Sequence, residues 1–219
     1  FALAYEDRNI SESERKNAEK YCADILKSKS PVRLRALFAG SFSRHFDFKP
    51  ILRAAAADPS CQFVLCGHGD TLEQTRTEAA GLPNIIFPGW IDFPKLRVLQ
   101  ELSQIGLAPY KNTPSFLKSL PNKMVEYMAG GLVIASSLSG HSEKIISEND
   151  LGFAYDFKVP DSLAAQLKMI QTDSPAFKRQ SDKNREYFQR HFQAESVYQE
   201  LVNTLEKVAS DHRTFKIVA

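Results

Sequence analysis

The sequence predicts an α/β chain organised on a doubly wound, Rossmann-like parallel sheet. About six short apolar runs alternate with segments of helical periodicity, the order that right-handed crossovers between parallel strands require. The central stretch 115–140, SFLKSLPNKMVEYMAGGLVIASSLSG, repeats that order as loop, helix, turn and buried strand. The 219 residues are 43% hydrophobic and 25% charged, and a chain of this size buries roughly 70% of its unfolded surface without a staple. Two regions are expected: an N-terminal helix and connector over 1–30, and a Rossmann-like domain with C-terminal helices over 31–219.

The first element is an amphipathic helix, capped by Ser11 or Ser13, with Ala18, Tyr21, Cys22, Ile25 and Leu26 at helical spacing. A polar connector leads to Pro31, and LRALFAG then forms the first strong strand, ending at Gly40. Ligands collect at the carboxyl ends of strands in such sheets, so the turn 40–47 is expected to face the site. QFVLCG is the second strand, followed by the turn His68-Gly69-Asp70 and a helix over 71–80. Gly67 and Gly69 permit close backbone approach. His68 has two readings, a group that reaches a ligand or a plain loop residue. NIIFPGWID supplies a third strand and turn, and Asp92 caps a helix over 93–103 with Leu96, Leu99 and Leu102 on one face. QIGLAPYK is the strand before the loop NTPSFLKSL.

Pro121 has its φ preset and no amide to donate, so it fits the first turn of a helix over 122–129. Gly130 and Gly131 end that helix, and the apolar run 132–135 follows as a strand. The amides of Asn122 and Lys123 are left free, and with the helix dipole they favour an anion at this helix start. The dipole alone contributes roughly 0.3 to 1 kcal/mol, too little to hold a phosphate ester against water. Lys118 and Lys123 flank the start as cations, and Ser115 and Ser119 add hydroxyls. Glu126, four residues after Asn122 on the same face, is a carboxylate that suits neutral sugar hydroxyls beside the phosphate. Together these groups read as a site for a sugar attached to phosphate. The competing reading is a packed helix with solvated charges, in which Met124, Val125 and Met128 are core contacts. After Gly140 come a short helix with Glu143, Ile145 and Ile146, a last strand LGFAYDF, and a helix begun by Asp161 or Ser162. Polar helices over 176–192 and 195–208 close the chain as structural elements.

The net charge of +2 is small and the basic residues are spread without interleaved aromatics, so nucleic acid is not favoured as a partner. Cys22, Cys61 and Cys66 lack metal-ligand spacing and read as reduced thiols of a cytoplasmic protein. No Asp and His cluster implies a metal. No apolar run spans a bilayer and no signal peptide is visible. The chain begins at Phe1, so a fragment of a longer protein is expected.

The stretch PNKMVEYMAGGLVIASSLSGHSEKI resembles the signature of the retaining GT-B glycosyltransferases, specifically glycosyltransferase family 4, whose members include bacterial polysaccharide transferases. The resemblance covers roughly 35–205 and corresponds to the C-terminal, donor-binding half of such an enzyme. In that family two Glu residues separated by seven others mark the nucleotide-sugar site. Glu126 matches the second, Lys118 stands at the first, and Gly140 and Glu143 match a later turn. Where the family has Gly-Arg after the first strand this chain has Gly40 and Ser41. Arg44 has two readings, the substitute cation, ahead of Lys49, which lies inside the next helix, or a solvated loop charge.

The resemblance implies a donor domain for retaining transfer from a nucleotide-diphosphate sugar of UDP or GDP type to a glycan or lipid-linked acceptor. It implies a hexosyltransferase half, inactive without its N-terminal acceptor domain, with no further cofactor. Arg44, Lys123 and Glu126 are the expected catalytic groups, with Glu126 on the ribose hydroxyls. Gly40, Ser41, Gly67, Ser115, Lys118, Ser119, Leu120 and Asn122 are expected to bind donor, with Trp90 and Ile91 at the nucleobase. Trp90 has a second reading as a cover for the core edge. A sugar-nucleotide epimerase and a noncatalytic nucleotide-binding module are the alternatives. The expected location is cytoplasmic, at the inner face of the membrane if the full-length protein associates peripherally.

Overall fold

A computed structural model describes residues 3–28 and 30–216, with side chains described through 210. Phe1 lies outside the described residues. The chain order is α1 (Glu12–Ile25), β1 (Leu34–Ala39), α2 (Lys49–Ala57), β2 (Cys61–Cys66), α3 (Leu72–Glu78), β3 (Ile85–Gly89) and α4 (Phe93–Glu101). It continues with β4 (Ile105–Ala108), α5 (Pro114–Leu117), α6 (Asn122–Gly130), β5 (Val133–Ser136), α7 (His141–Glu148), β6 (Gly152–Ala154), α8 (Ser162–Met169), α9 (Pro175–His191) and α10 (Ala194–Lys216).

The strands form one six-stranded sheet in the order β3-β2-β1-β4-β5-β6. All pairs are parallel, with β1 meeting β2 along its whole length from Leu34↔Cys61 to Ala39↔Cys66. The period of two along each strand splits the core into two layers. Leu34, Ala36 and Phe38 of β1 pack with Phe63 and Leu65 of β2 and Ile51 of α2 on one face. Leu37, Val64, Ile134 and the α6 residues Met124, Val125 and Met128 pack with Leu99 of α4 and Phe188 of α9 on the other. Burial on both faces explains why these strands read as continuous apolar runs rather than alternating ones.

Local chemistry sets the ends of the elements. Ser11 caps α1 in a reciprocal box, its amide donating to Glu14 Oε2 at 2.8 Å and its Oγ accepting from the Glu14 amide at 3.3 Å. Asp92 Oδ1 accepts from the Lys95 amide at the start of α4 (3.2 Å). At the end of α6, Gly131 takes the left-handed conformation (φ 71°) and the Leu132 amide returns to the Tyr127 carbonyl at 2.9 Å. A side chain on Gly131 would also collide with the Arg185 guanidinium of α9, which donates to the Gly130 carbonyl at 3.2 Å.

Three expectations need correcting. The loop NTPSFLKSL contains one helical turn, α5, because Pro114 presets the φ of its first residue. Leu102 is 40% exposed rather than sharing the buried face of α4, since the helix ends at Glu101 and Leu102 is its cap. The last helix runs on to Lys216, past the expected end at 208.

Candidate functional site

The strand order reverses at β1 and β4, and there the sheet opens. β1 pairs with β4 only through Ala36↔Ile105 and Leu37↔Gly106, so their carboxyl ends diverge into a crevice of the kind that binds ligands in doubly wound sheets. Tyr127 of α6 fills the fork. Its hydroxyl donates to the Leu107 carbonyl at 3.0 Å and accepts from the Ala39 amide at 3.4 Å, which replaces the missing ladder bonds with a side chain. Gly106 leaves room for the phenol ring, which a Cβ at that position would strike.

Above the fork lies a cleft of about 330 Å³. Its walls come from three strand-end turns: Gly40 and Ser41 after β1, Gly67 and His68 after β2, and Trp90 and Ile91 after β3. The turns are stitched together by backbone bonds from Gly40 N to Cys66 O (3.1 Å), Gly67 N to Gly89 O (2.8 Å) and Phe42 N to His68 O (2.7 Å). The packing is tight enough that Gly67, at φ 134°, has no space for a side chain, since a Cβ would run into the Gly40 carbonyl. Cys66 and Leu96 add apolar wall, and Glu126 of α6 supplies the carboxylate.

The electrostatics centre on α6. Glu126 is partly buried, and burial pushes its carboxyl above the ordinary range while Lys123 pulls it back. Lys123 is 7% exposed, and burial lowers its ammonium to about 8 against the opposing pull of Glu126. Its Nζ turns under Gly40, donates to the Ala39 carbonyl and stands 4.1 Å from the Phe38 ring centre. Glu126 also helps to raise the Tyr5 phenol to about 12, though burial contributes more. The amides of Ser41, Asn122 and Lys123 have no acceptor among the described residues.

Six of the residues singled out from the sequence thus line one cleft: Gly40, Ser41, Gly67, Trp90, Ile91 and Glu126. His68 joins them. Trp90 is 69% exposed at the lip, which excludes its reading as a cover for the core. Lys123 does not flank an open helix start as expected. It is drawn inward because its neighbours Met124, Val125 and Tyr127 are all buried and its stem follows them. Arg44 is also displaced from the expected position: it lies with Lys49 and Lys111 in a separate groove beside α3, because the turn after β1 carries it past the cleft. Ser115 and Lys118 are exposed on and after α5, and Asn122 is exposed at the start of α6. Leu120 packs against the core, and Ser119 hands its carbonyl to Ser142 Oγ at 2.7 Å. None of these five lines the cleft.

Cys66, Leu96 and Tyr127 were not singled out as site residues. Tyr127 follows Glu126 directly and sits in the apolar phase of the helix, so only its hydroxyl hinted at more than packing.

The family described as "Glycosyl transferases group 1" matches residues 35–173. TuaH of Bacillus subtilis (strain 168), which carries the name of a teichuronic acid biosynthesis glycosyltransferase, is 33% identical over 111 residues, 48% of this chain and 27% of that protein. HepE of Anabaena, solved in complex with UDP-glucose, superposes with a TM-score of 0.68 at 14% identity, over 90% of this chain and 54% of that one. The C-terminal domain of LpcC, a group 1 family protein from Francisella tularensis, gives 0.58 at 18% identity, over 80% of this chain and 91% of that domain. The chain therefore spans about a quarter of TuaH and about half of HepE. The architecture is that of the C-terminal Rossmann-like domain of GT-B glycosyltransferases.

Proposed function

The chain belongs to the group 1 glycosyl transferases, and on that premise we propose that it is the donor-binding half of a GT-B enzyme of glycosyltransferase family 4. The donor is a nucleotide-diphosphate sugar, and the transfer retains the configuration of a hexosyl unit. The carrying observation is that Glu126 opens into the same cleft as the turns after β1, β2 and β3. Glu126 accepts the ribose hydroxyls, the backbone beside Trp90 and Ile91 meets the base, and the free amide of Ser41 faces the diphosphate, with the free amides of Asn122 and Lys123 at the start of α6 lending the positive end of that helix from outside the cleft lining.

In such a reaction the bond from sugar to phosphate lengthens and negative charge grows on the leaving diphosphate. Donors fixed before the reaction stabilise that charge more than the ground state. Lys123 adds positive potential from beneath the Gly40 turn, where burial reduces screening by water. Ser41 and Lys118 stand where the family pattern has Arg and Glu, so amides and this one buried cation carry more of the task here. No group of three metal-ligating side chains occurs among the described residues, and the proposal uses none.

HepE was solved with UDP and with UDP-glucose, which favours UDP as the nucleotide. The name of TuaH favours polysaccharide synthesis, and we propose that the acceptor, a glycan or lipid-linked unit, is held by an N-terminal half. Among the described residues no helix is long and apolar enough to cross a membrane. TuaH and LpcC carry the names of glycosyl transferases, which favours transfer over epimerisation. A thermal-shift screen of UDP, GDP, ADP and their sugars tests the reading, because a ligand that binds only the folded state raises its stability. A rise with UDP and UDP-sugars is expected; no rise with any nucleotide would remove the donor site.

A further inference from the structure

The two sides of the cleft differ in chemistry. On the β1 side lie the Ser41 amide, which has no acceptor among the described residues, and the Lys123 ammonium beneath Gly40. The β3 side is apolar, lined by Trp90, Ile91 and Leu96, and the Trp90 indole makes no ring contact or hydrogen bond among the described residues. A flat ring suits that end as an anion suits the other.

His68 puts a polar edge into the apolar end. A Cβ on Gly89, the last residue of β3, would meet His68 Cε1 at 3.7 Å, so the imidazole lies over the strand end that leads into Trp90. The ring makes no hydrogen bond, ion pair or aromatic contact among the described residues, and both of its nitrogens are free.

The backbone that carries this ring is held from both sides. Gly67 donates to the Gly89 carbonyl at 2.8 Å, and the His68 carbonyl accepts from the Phe42 amide at 2.7 Å. Gly69, at φ 147°, abuts the Phe42 carbonyl so closely that a Cβ would strike it. Phe42 is itself fully buried and stacked on Phe48, with ring centres 4.7 Å apart. The Gly-His-Gly turn therefore presents a single side chain to the cleft from a fixed main chain.

We propose that His68 reads the nucleobase. One imidazole nitrogen donates to a ring carbonyl, such as the 4-carbonyl of uracil, and meets a second donor where cytosine carries its 4-amino group. A site that aims a donor at a carbonyl rejects the analogue that lacks it. The inference rests on the donor reading given above and deepens it: backbone contacts at Trp90 and Ile91 leave the choice of base open, and a side chain closes it.

UDP and CDP share ribose and diphosphate, so calorimetric titration of the 219-residue chain with each isolates the base. The parent is expected to bind UDP about tenfold more tightly than CDP. His68→Ala is expected to weaken UDP by about tenfold and to leave CDP within about twofold, which brings the ratio close to one. His68→Phe keeps a flat ring without nitrogens and is expected to lose the same preference. A general loosening of the cleft would lower both affinities and leave their ratio alone. The inference is overturned if the parent binds the two nucleotides equally, if His68→Ala weakens both by one factor, as a contact with the diphosphate would, or if His68→Phe retains the preference. A parent that binds neither nucleotide removes the donor site and this inference with it, whereas binding with an unmoved ratio removes the role of His68 alone.

Discussion

Lys123 and Glu126 stand one turn apart on α6 and shift each other's titration in opposite senses. The ammonium is buried beneath Gly40 and lowered to about 8, while the carboxyl opens into the cleft and is raised. An amine that loses its hydration this way destabilises the fold, and its retention on a helix otherwise packed with Met124, Val125 and Met128 is best explained by use.

Replacing it should therefore strengthen the protein and weaken the site. Lys123→Met is predicted to raise the melting temperature at neutral pH by about 2–4 °C, equivalent to about 1 kcal/mol for a chain of this size, while loosening UDP. Differential scanning calorimetry paired with a UDP titration checks both, and a destabilised variant would sink this account of the lysine.

The same residue predicts a stability profile in alkaline solution. The unfolded lysine titrates near 10.5 and the folded one near 8, so between those values the unfolded chain binds more protons. Stability then rises as pH climbs from about 8 towards 10.5, a contribution that Lys123→Met abolishes. Urea midpoints for parent and variant across that window measure it. Equal slopes in the two proteins would contradict it.

Glu126 gives the acid counterpart. Its folded pKa lies above the ordinary 4.5 because of burial, so the folded chain takes up its proton before the unfolded one does. UDP affinity, which needs the carboxylate, is predicted to fall as pH drops through that raised value. Glu126→Gln should bind weakly with no such dependence. Calorimetric titrations over the acid range decide this, and a parent affinity that ignores pH there would exclude the carboxylate from the grip.

Tyr127→Phe removes the hydroxyl that joins Leu107 to Ala39. Two backbone groups in the fork then lose their partner, at about 1–3 kcal/mol, and the mouth between β1 and β4 loosens. The predicted outcome is a lower urea midpoint together with weaker UDP binding. Loss of stability with intact affinity would mean that the fork does not shape the cleft.

Much of this architecture was legible in the sequence, for definite reasons. Strands such as Ile105–Ala108 are buried on both faces and appear as unbroken apolar runs, and Ser11 and Asp92 announce helix starts through their own side chains. Gly40 could be found because the turns at strand ends collect ligands in a parallel sheet and Gly67 because a glycine permits close backbone approach, whereas Trp90 and Ile91 followed from the family resemblance. The direction of Lys123 was hidden, since a lysine stem follows an apolar face as readily as it leaves it. Arg44 sits on a loop whose path depends on contacts with α3, far along the chain. Tyr127 gave no signal of its own in the sequence because it is core; only the parting of β1 from β4 gives its hydroxyl a task.

Trp90 is the one tryptophan of the chain and stands at the lip of the cleft, so its fluorescence reports occupancy directly. Titration of the parent with UDP should quench or shift that emission to saturation, and Glu126→Ala should require about tenfold more UDP or greater. Emission that does not respond in the parent, or the same midpoint in both proteins, would contradict the assignment of this cleft to a glycosyl nucleotide.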